Sequence, residues 1–282
     1  MYVPPRQRFS KDATKARRLD LVVVEKPWGR SDIPAAFGNF GDRRIGEIWL
    51  VHPDGDAAPL MVKFLFTSER LSVQVHPDET AAQAAGLRSG KDECWLVLAA
   101  DAGAEMGVGL TAPSNADELR AAALDGSIAA MVDWRAPKVD DFIYNPAGTI
   151  HALGAGLTIV EVQQNLDLTY RLYDYGRPRE LHLEQGLKVA NPGPVADPRD
   201  CSVSPSTSQK LVSGPHFHVL HLAAPFDPAA IDHAKSELTF VPLSTGCHAA
   251  GESLRLGEAI LLDDPRLIAM APGSRALLCW AD

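Results

Sequence analysis

Gln74 and His76 stand two residues apart in Leu71-Ser72-Val73-Gln74-Val75-His76-Pro77. Successive side chains of a β-strand point to opposite faces, so Ser72, Gln74 and His76 share one face while Leu71, Val73 and Val75 share the other. One face is apolar and the other is able to coordinate a metal. Two more segments carry ligand types, Lys91-Asp92-Glu93-Cys94-Trp95 and Pro146-Ala147-Gly148-Thr149-Ile150-His151. Two imidazoles, one carboxylate and one amide oxygen form a set that suits zinc and that iron, manganese or cobalt also accept. Each segment is weak alone. An isolated histidine is more often a satisfied polar residue than a ligand, Glu93 is by default a solvated strand-end charge, and Lys91 an exposed partner for Asp92.

The elements that must position these residues are short and mostly extended. β-type runs bounded by turn signals are expected at Leu21 to Val24, Ile45 to Val51, Leu60 to Phe66, Leu71 to Val75, Cys94 to Ala99, Ala104 to Val108, Phe142 to Tyr144, His151 to Leu153 and Leu157 to Gln163. That spacing suits a sandwich or barrel. Pro146-x-Gly148 reads as a strand-entry turn, glycine allowing unusual backbone angles and proline fixing the approach. Helices are expected to be few: one opened by a Ser114-x-x-Asp117 capping box and closed by Gly126, and a turn over Ser127 to Trp134. A short helix should run from an Asp78 N-cap to Gly86, and another over Leu183 to Ala190, stopped by Asn191-Pro192. Residues 191–208, rich in Pro, Ser and Asp, read as a linker to a smaller β domain with strands near His216 to Leu222, Leu238 to Val241, Glu258 to Leu262 and Ala276 to Trp280.

The 282 residues are 46% hydrophobic and 22% charged, an ordinary globular balance for one large or two modest domains. A formal net charge of -9 disfavours nucleic-acid binding, which needs a basic face, though a local Lys/Arg cluster is enough for a small anionic ligand. The N-terminal segment mixes Arg6, Arg8, Lys11, Lys15, Arg17 and Arg18 with polar residues, so neither a secretory signal nor a membrane span is expected, and a cytosolic location is. Cys94, Cys201, Cys247 and Cys279 are far apart and form no CxxC pair, which points to reduced structural thiols.

Taken together, the segments resemble the class I mannose-6-phosphate isomerases. The resembling stretches are Glu25-Lys26-Pro27-Trp28-Gly29, Gly46-Glu47-Ile48-Trp49, Pro59-Leu60-Met61-Val62-Lys63, Leu71 through Asp78, Gly90 through Trp95, and the run from Pro146 through Arg177. They span Glu25 to Ala190 in the family's order. The resemblance implies an all-β-dominant cupin (jelly-roll) barrel with short helical insertions, followed by a smaller cupin-like domain. The implied boundaries are a metal-binding catalytic domain at 1–190 with a helical insertion near 114–135, a linker at 191–208, and a metal-free buttressing domain at 209–282 that lacks a Pro-x-Gly-x-x-His despite His216, His218, His221, His233 and His248. It also implies one Zn2+ held by Gln74, His76, Glu93 and His151. Gln74 stands where the first cupin motif normally has the first His of His-x-His, a substitution that is the family's own.

The implied activity is interconversion of mannose 6-phosphate and fructose 6-phosphate through an enediolate. Arg171 matches the catalytic arginine, with Asp167 four residues earlier expected to orient it through a bidentate pair. Glu161 is implied to bond a sugar hydroxyl or move protons. Ser72, Lys91 and Lys63 are the implied contacts to a small phosphorylated sugar. Asp167 and Arg171 would otherwise be an ordinary surface ion pair. Long members of the family carry an added helical domain between the Glu ligand and the second His, whereas here only residues 94–150 intervene, making this a short form with an altered outer pocket. Rival readings are a noncatalytic sugar-phosphate-binding cupin, for which Arg171 discriminates, and an iron cupin oxygenase, which oxygen-independent turnover would exclude.

Overall fold

Alternation along the strands sorts the apolar residues into layers, because every strand that carries a polar group inward turns aliphatic neighbours outward. The computed structural model describes residues 16–233 and 236–281. Arg6, Arg8, Lys11 and Lys15 lie outside the described residues. A seven-stranded antiparallel sheet runs in the order Cys201–Ser202, Asp141–Asn145, Glu93–Ala100, Leu157–Gln164, Leu60–Phe66, Ile45–Val51 and Asp20–Arg30. A five-stranded antiparallel sheet runs Tyr170–Tyr173, Val73–Val75, His151–Leu153, Met106–Leu110 and Val132–Arg135. Leu65, Trp95, Val97 and Ile159 from the first sheet cluster with Met106, Val108 and Leu153 from the second, so the two sheets face each other.

Each outer face is covered in turn. On the five-stranded sheet, Val73, Val75, Leu110, Ala152 and Leu172 pack under Leu119, Ala122, Ala123, Ile128 and Leu187 of the helical segments. On the seven-stranded sheet, Val62, Phe64, Cys94, Leu96, Phe142, Val160 and Val162 share a core with Leu211, Phe217, Val219, Val241, Leu277 and Cys279. Those last residues belong to a six-stranded sheet in the order Ala16–Arg18, Ile260–Leu262, Leu238–Pro242, Arg275–Ala281, Phe217–Ala223 and Gln209–Ser213. Its far face packs on a three-stranded sheet of Glu252–Leu254, Cys247–Ala249 and Ile268–Met270. No helix among the described residues is long and apolar enough to cross a membrane.

Several local expectations shift. The first described strand, Ala16–Arg18, pairs with Ile260–Leu262, and its Arg17 and Arg18 reach Glu237, Glu252 and Glu258, so the chain enters through the C-terminal sheet. Residues 191–208 lie along the first unit: Leu110 and Ser114 donate backbone N–H groups to Gly193 and Pro192, Tyr144 N–H bonds the Asp200 carboxylate, and Cys201–Ser202 pairs with Phe142 and Asp141. Only Ile128–Met131 of the turn expected over Ser127 to Trp134 is helical. Val132–Arg135 is instead a strand beside Met106–Leu110, where Gly107 leaves room for Val132; a Cβ at Gly107 would lie 2.4 Å from Val132 Cγ1.

The helix Ala116–Asp125 forms where expected but is capped one residue later. Asn115 accepts from the N–H groups of Asp117 and Glu118, while Ser114 Oγ is spent on Glu118, and Gly126 ends the helix at φ 86°. An asparagine side chain meeting two free helix donors outcompetes a serine that has found a carboxylate. Asp78 does cap Glu79–Ala84 through Ala81 N–H, and Leu183–Val189 forms the last helix. Asn115→Ala should cost about 1 kcal/mol in urea unfolding, whereas Ser114→Ala should stay within about 0.5 kcal/mol; equal losses would return the cap to Ser114.

Candidate metal centre

Strand register brings the candidate residues together. Gln74 lies opposite His151 on one side and opposite Arg171 on the other, so the three form a cross-strand row on the inward face of the five-stranded sheet. On the facing sheet, Glu93 lies opposite Asn145 and Gln163, and Glu161 opposite Trp95 and Lys63. These are inward positions, since Trp95 and Ile159 on the same faces enter the core between the sheets. Ser72, Lys63, His76, Lys91, Glu93, His151 and Glu161 are all buried.

The imidazoles are held from behind. His76 Nδ1 donates to Leu168 O at 2.9 Å and His151 Nδ1 to Thr149 O at 2.9 Å, and a carbonyl can only accept, so both rings keep an Nε2 lone pair. Both Nε2 atoms lie beside Glu93: His76 Nε2 is 3.5 Å from Oε2 and His151 Nε2 is 3.3 Å from Oε1. Gly148, at φ 85°, makes the turn that delivers His151, and its N–H bonds His76 O at 2.8 Å. Asp92 braces the same turn, accepting from Tyr144 Oη at 2.5 Å and Ala147 N–H at 2.9 Å.

Protonation states follow from burial and neighbours. Burial, then the nearby Lys91 charge, pushes His76 down to about 3, and burial lowers His151. Burial alone would raise Glu93, but Lys91 and His76 hold it well below the usual carboxylate range. Two neutral imidazoles and an ionised carboxylate are the forms that bind a divalent cation without first losing protons. Among the described residues, His76, Glu93 and His151 are a group whose ligand atoms lie within 4.8 Å of one another. Glu93 Oε2 is buried without a hydrogen bond, touching Lys91 Nζ at 3.0 Å only as an ionic contact. Gln74 presents Nε2 to His151 Nε2 at 3.1 Å and Oε1 to the Ser72 hydroxyl at 3.0 Å. Turning the amide over exchanges its ends, and a hydroxyl serves either as donor or as acceptor, so Ser72 accommodates the orientation in which Oε1 turns toward the imidazoles as well as the one recorded.

The remaining candidates divide. Glu161 accepts from Trp95 Nε1 at 3.0 Å and lies 2.9 Å from Lys63 Nζ. Burial, reinforced by Glu93, raises its pKa although Lys63 opposes the shift. Lys63 is raised in turn, the carboxylates of Glu161 and Glu47 overcoming its burial. Lys91 Nζ donates to His76 Nε2 at 2.9 Å. Arg171 is half-buried, with Nη1 on Glu180 O at 2.9 Å, Nε buried without a partner, and its pKa lowered by burial and then by Arg179.

The expected bidentate pair between Asp167 and Arg171 does not form. Asp167 is exposed in the turn before Tyr170–Tyr173, and in a strand the i and i+4 side chains are too far apart to mimic a helical pair. The carboxylate that organises the nearby arginines is Asp174, nearly fully buried and gripped by Arg177 at 2.7 Å and Arg179 at 2.6 Å. Asn145, which sequence reading passed over, donates Nδ2 to Glu93 Oε1 at 2.8 Å. Nothing in its local sequence but the following Pro146 marks it, since its role depends on pairing with a distant strand.

Comparison with known proteins agrees with this geometry. The chain is 34% identical over 242 residues to the mannose-6-phosphate isomerase of Streptococcus mutans serotype c, covering 71% of this chain and 76% of that protein. The crystal structure of the mannose 6-phosphate isomerase from Bacillus subtilis superposes with a TM-score of 0.76 at 24% identity, covering 94% of this chain and 99% of that one. A zinc-bound mannose 6-phosphate isomerase superposes at 0.69 with 13% identity, covering 95% and 100%. No family model matches the chain. The layered sheets are therefore the cupin-type fold of these neighbours.

Asp174→Ala strands two part-buried guanidinium groups and should cost ~1.5–3 kcal/mol in denaturant unfolding, while Asp167→Ala should stay within about 0.5 kcal/mol. The reverse order of losses would restore Asp167 as the organising carboxylate.

Proposed function

The chain belongs to the mannose-6-phosphate isomerase family, and from that premise we propose that it interconverts mannose 6-phosphate and fructose 6-phosphate with one zinc ion per chain. The observation that carries the reading is the buried group of His76, Glu93 and His151, with Gln74 in register between His151 and Arg171. Gln74, His76, Glu93 and His151 would hold the metal, which supplies Lewis-acid stabilisation of charge on the sugar oxygens.

The chain's own residues carry the rest. Aldose–ketose isomerisation moves a proton between C1 and C2, and negative charge builds on oxygen as the enediolate forms. Arg171 is assigned to that charge: its guanidinium donates to a backbone carbonyl, Glu180 O, and its Nε is buried without a partner, so donors remain for a ligand. Glu161 is assigned to proton handling, because a carboxyl whose pKa is raised exchanges a proton near neutrality more readily than one held far below it. Lys63 acts through Glu161, at 2.9 Å. Ser72 and Lys91 line the same interior and are assigned to the phosphorylated sugar beside the metal. The four cysteines are free, which suits a reducing cytosol, the location we assign to the reaction. The C-terminal sheets are assigned to buttressing the catalytic barrel across the shared core.

A coupled assay with mannose 6-phosphate on protein of measured metal content tests the reading. Turnover should disappear on chelation and return with zinc; full zinc occupancy without turnover on this sugar would overturn it. Arg171→Ala should lower turnover by at least about a hundredfold while zinc content persists. Wild-type turnover in that variant would remove Arg171 from the reaction.

A further inference from the structure

We propose that Asn145 is a positioning residue that fixes which oxygen of Glu93 faces the metal, an inference that rests on the metal reading above. Glu93 is buried between two imidazoles, and a carboxylate there has two equivalent oxygens unless something distinguishes them. Asn145 does so. Its Nδ2 donates to Oε1 at 2.8 Å, which leaves Oε2 without a hydrogen bond, 3.5 Å from His76 Nε2 and 3.0 Å from Lys91 Nζ. With one oxygen engaged by a neutral donor, Glu93 is biased toward coordination through Oε2 alone, and the side chain cannot swing about its last torsion without breaking a buried hydrogen bond.

Asn145 is held so that it can do this. It sits directly opposite Glu93 in the ladder between Asp141–Asn145 and Glu93–Ala100, which sets the separation of the two side chains. Pro146 restricts the Asn145 backbone to extended angles. On either side, Tyr144 and Ala147 are both tied to Asp92, the residue before Glu93, so one carboxylate clips both ends of the turn. The amide cannot be reversed, because that would set Oδ1 against the ionised Glu93. Its Nδ2 also lies 3.1 Å from His151 Nδ1, but Thr149 O takes the Nδ1 proton, so that approach is a packing contact between two donors. Asn145 is thus in contact with one ligand by a hydrogen bond and with a second by packing.

The test is metal affinity and ligand field, measured on the full chain after chelation. Zn2+ affinity is read by competition with a chromophoric chelator, and the Co2+ derivative by its visible absorption. Wild type should take up one metal per chain. Asn145→Leu, matched in size but unable to donate, should bind about 10- to 100-fold more weakly and show a shifted Co2+ band, the chelated protein still unfolding in one thermal transition though at a lower temperature. Asn145→Ser, smaller and easier to accommodate, should lose affinity in the same direction and decides the matter if the leucine variant does not fold. Wild-type affinity and an unshifted Co2+ band in the folded variants would overturn the positioning role. Failure of the wild type itself to bind metal would instead overturn the metal reading on which the role rests.

Discussion

An ionised carboxylate buried between two protein sheets must be matched by positive charge, and Glu93 is such a group. Its burial opposes ionisation, yet Lys91 and His76 keep its pKa far below normal. The desolvation of a lone carboxylate in such a place is worth several kcal/mol against folding, and only close cations or several donors offset it. Lys91 Nζ at 3.0 Å and the Asn145 amide donor at 2.8 Å converge there, from the segment before Glu93–Ala100 and from the end of Asp141–Asn145. The strands that carry them are therefore fixed relative to one another by electrostatics as well as by their ladders.

That constraint explains why the layers are built as they are. Glu93, Glu161, Lys63 and Glu47 all point inward, and the positions between them, Cys94, Val160, Val162, Val62 and Ile48, point outward as a continuous apolar surface. A sheet with so much charge on one face needs dry support on the other to stay flat against its partner. The C-terminal sheet provides it through Phe217, Val219, Leu277 and Cys279, and the salt bridge between Asp140 and Arg275 ties the same two units at the rim. The helices do the equivalent work for Val73 and Val75, the outward neighbours of Gln74. Both covers pack on the outward neighbours of the site residues and so hold the strand positions.

How much of this the sequence discloses depends on distance along the chain. The Ser72, Gln74, His76 face follows from the two-residue period alone, and the Pro146-Ala147-Gly148 turn from backbone chemistry at φ 85°. Strands that read as apolar runs bounded by turns, such as Ile45–Val51 and Leu60–Phe66, stand at their expected limits. The strand Tyr170–Tyr173 is not legible locally, because its four residues, Tyr-Arg-Leu-Tyr, bury one side chain fully and leave the others half-buried, with no apolar run to mark it. Its identity mattered, since an extended Arg171 reaches Gln74 across the ladder and leaves Asp167 behind. Asn145 and Asp174 were invisible for a related reason: the groups they hold lie on other strands or in a turn whose shape no local pattern specifies.

The facing pair of carboxylates shows what the arrangement achieves chemically. Glu93 and Glu161 project from adjacent strands onto the same face, two rungs apart, and each repels the ionised form of the other. Identical groups so placed would share their titration. The surroundings separate them instead: the Lys91 ammonium at 3.0 Å favours ionised Glu93, while burial, reinforced by Glu93, raises Glu161 despite Lys63 and the Trp95 N–H. One carboxylate is driven toward permanent charge and the other toward holding a proton. Environments that push two like groups apart assign them different work, a charged ligand on one side and an exchangeable proton on the other.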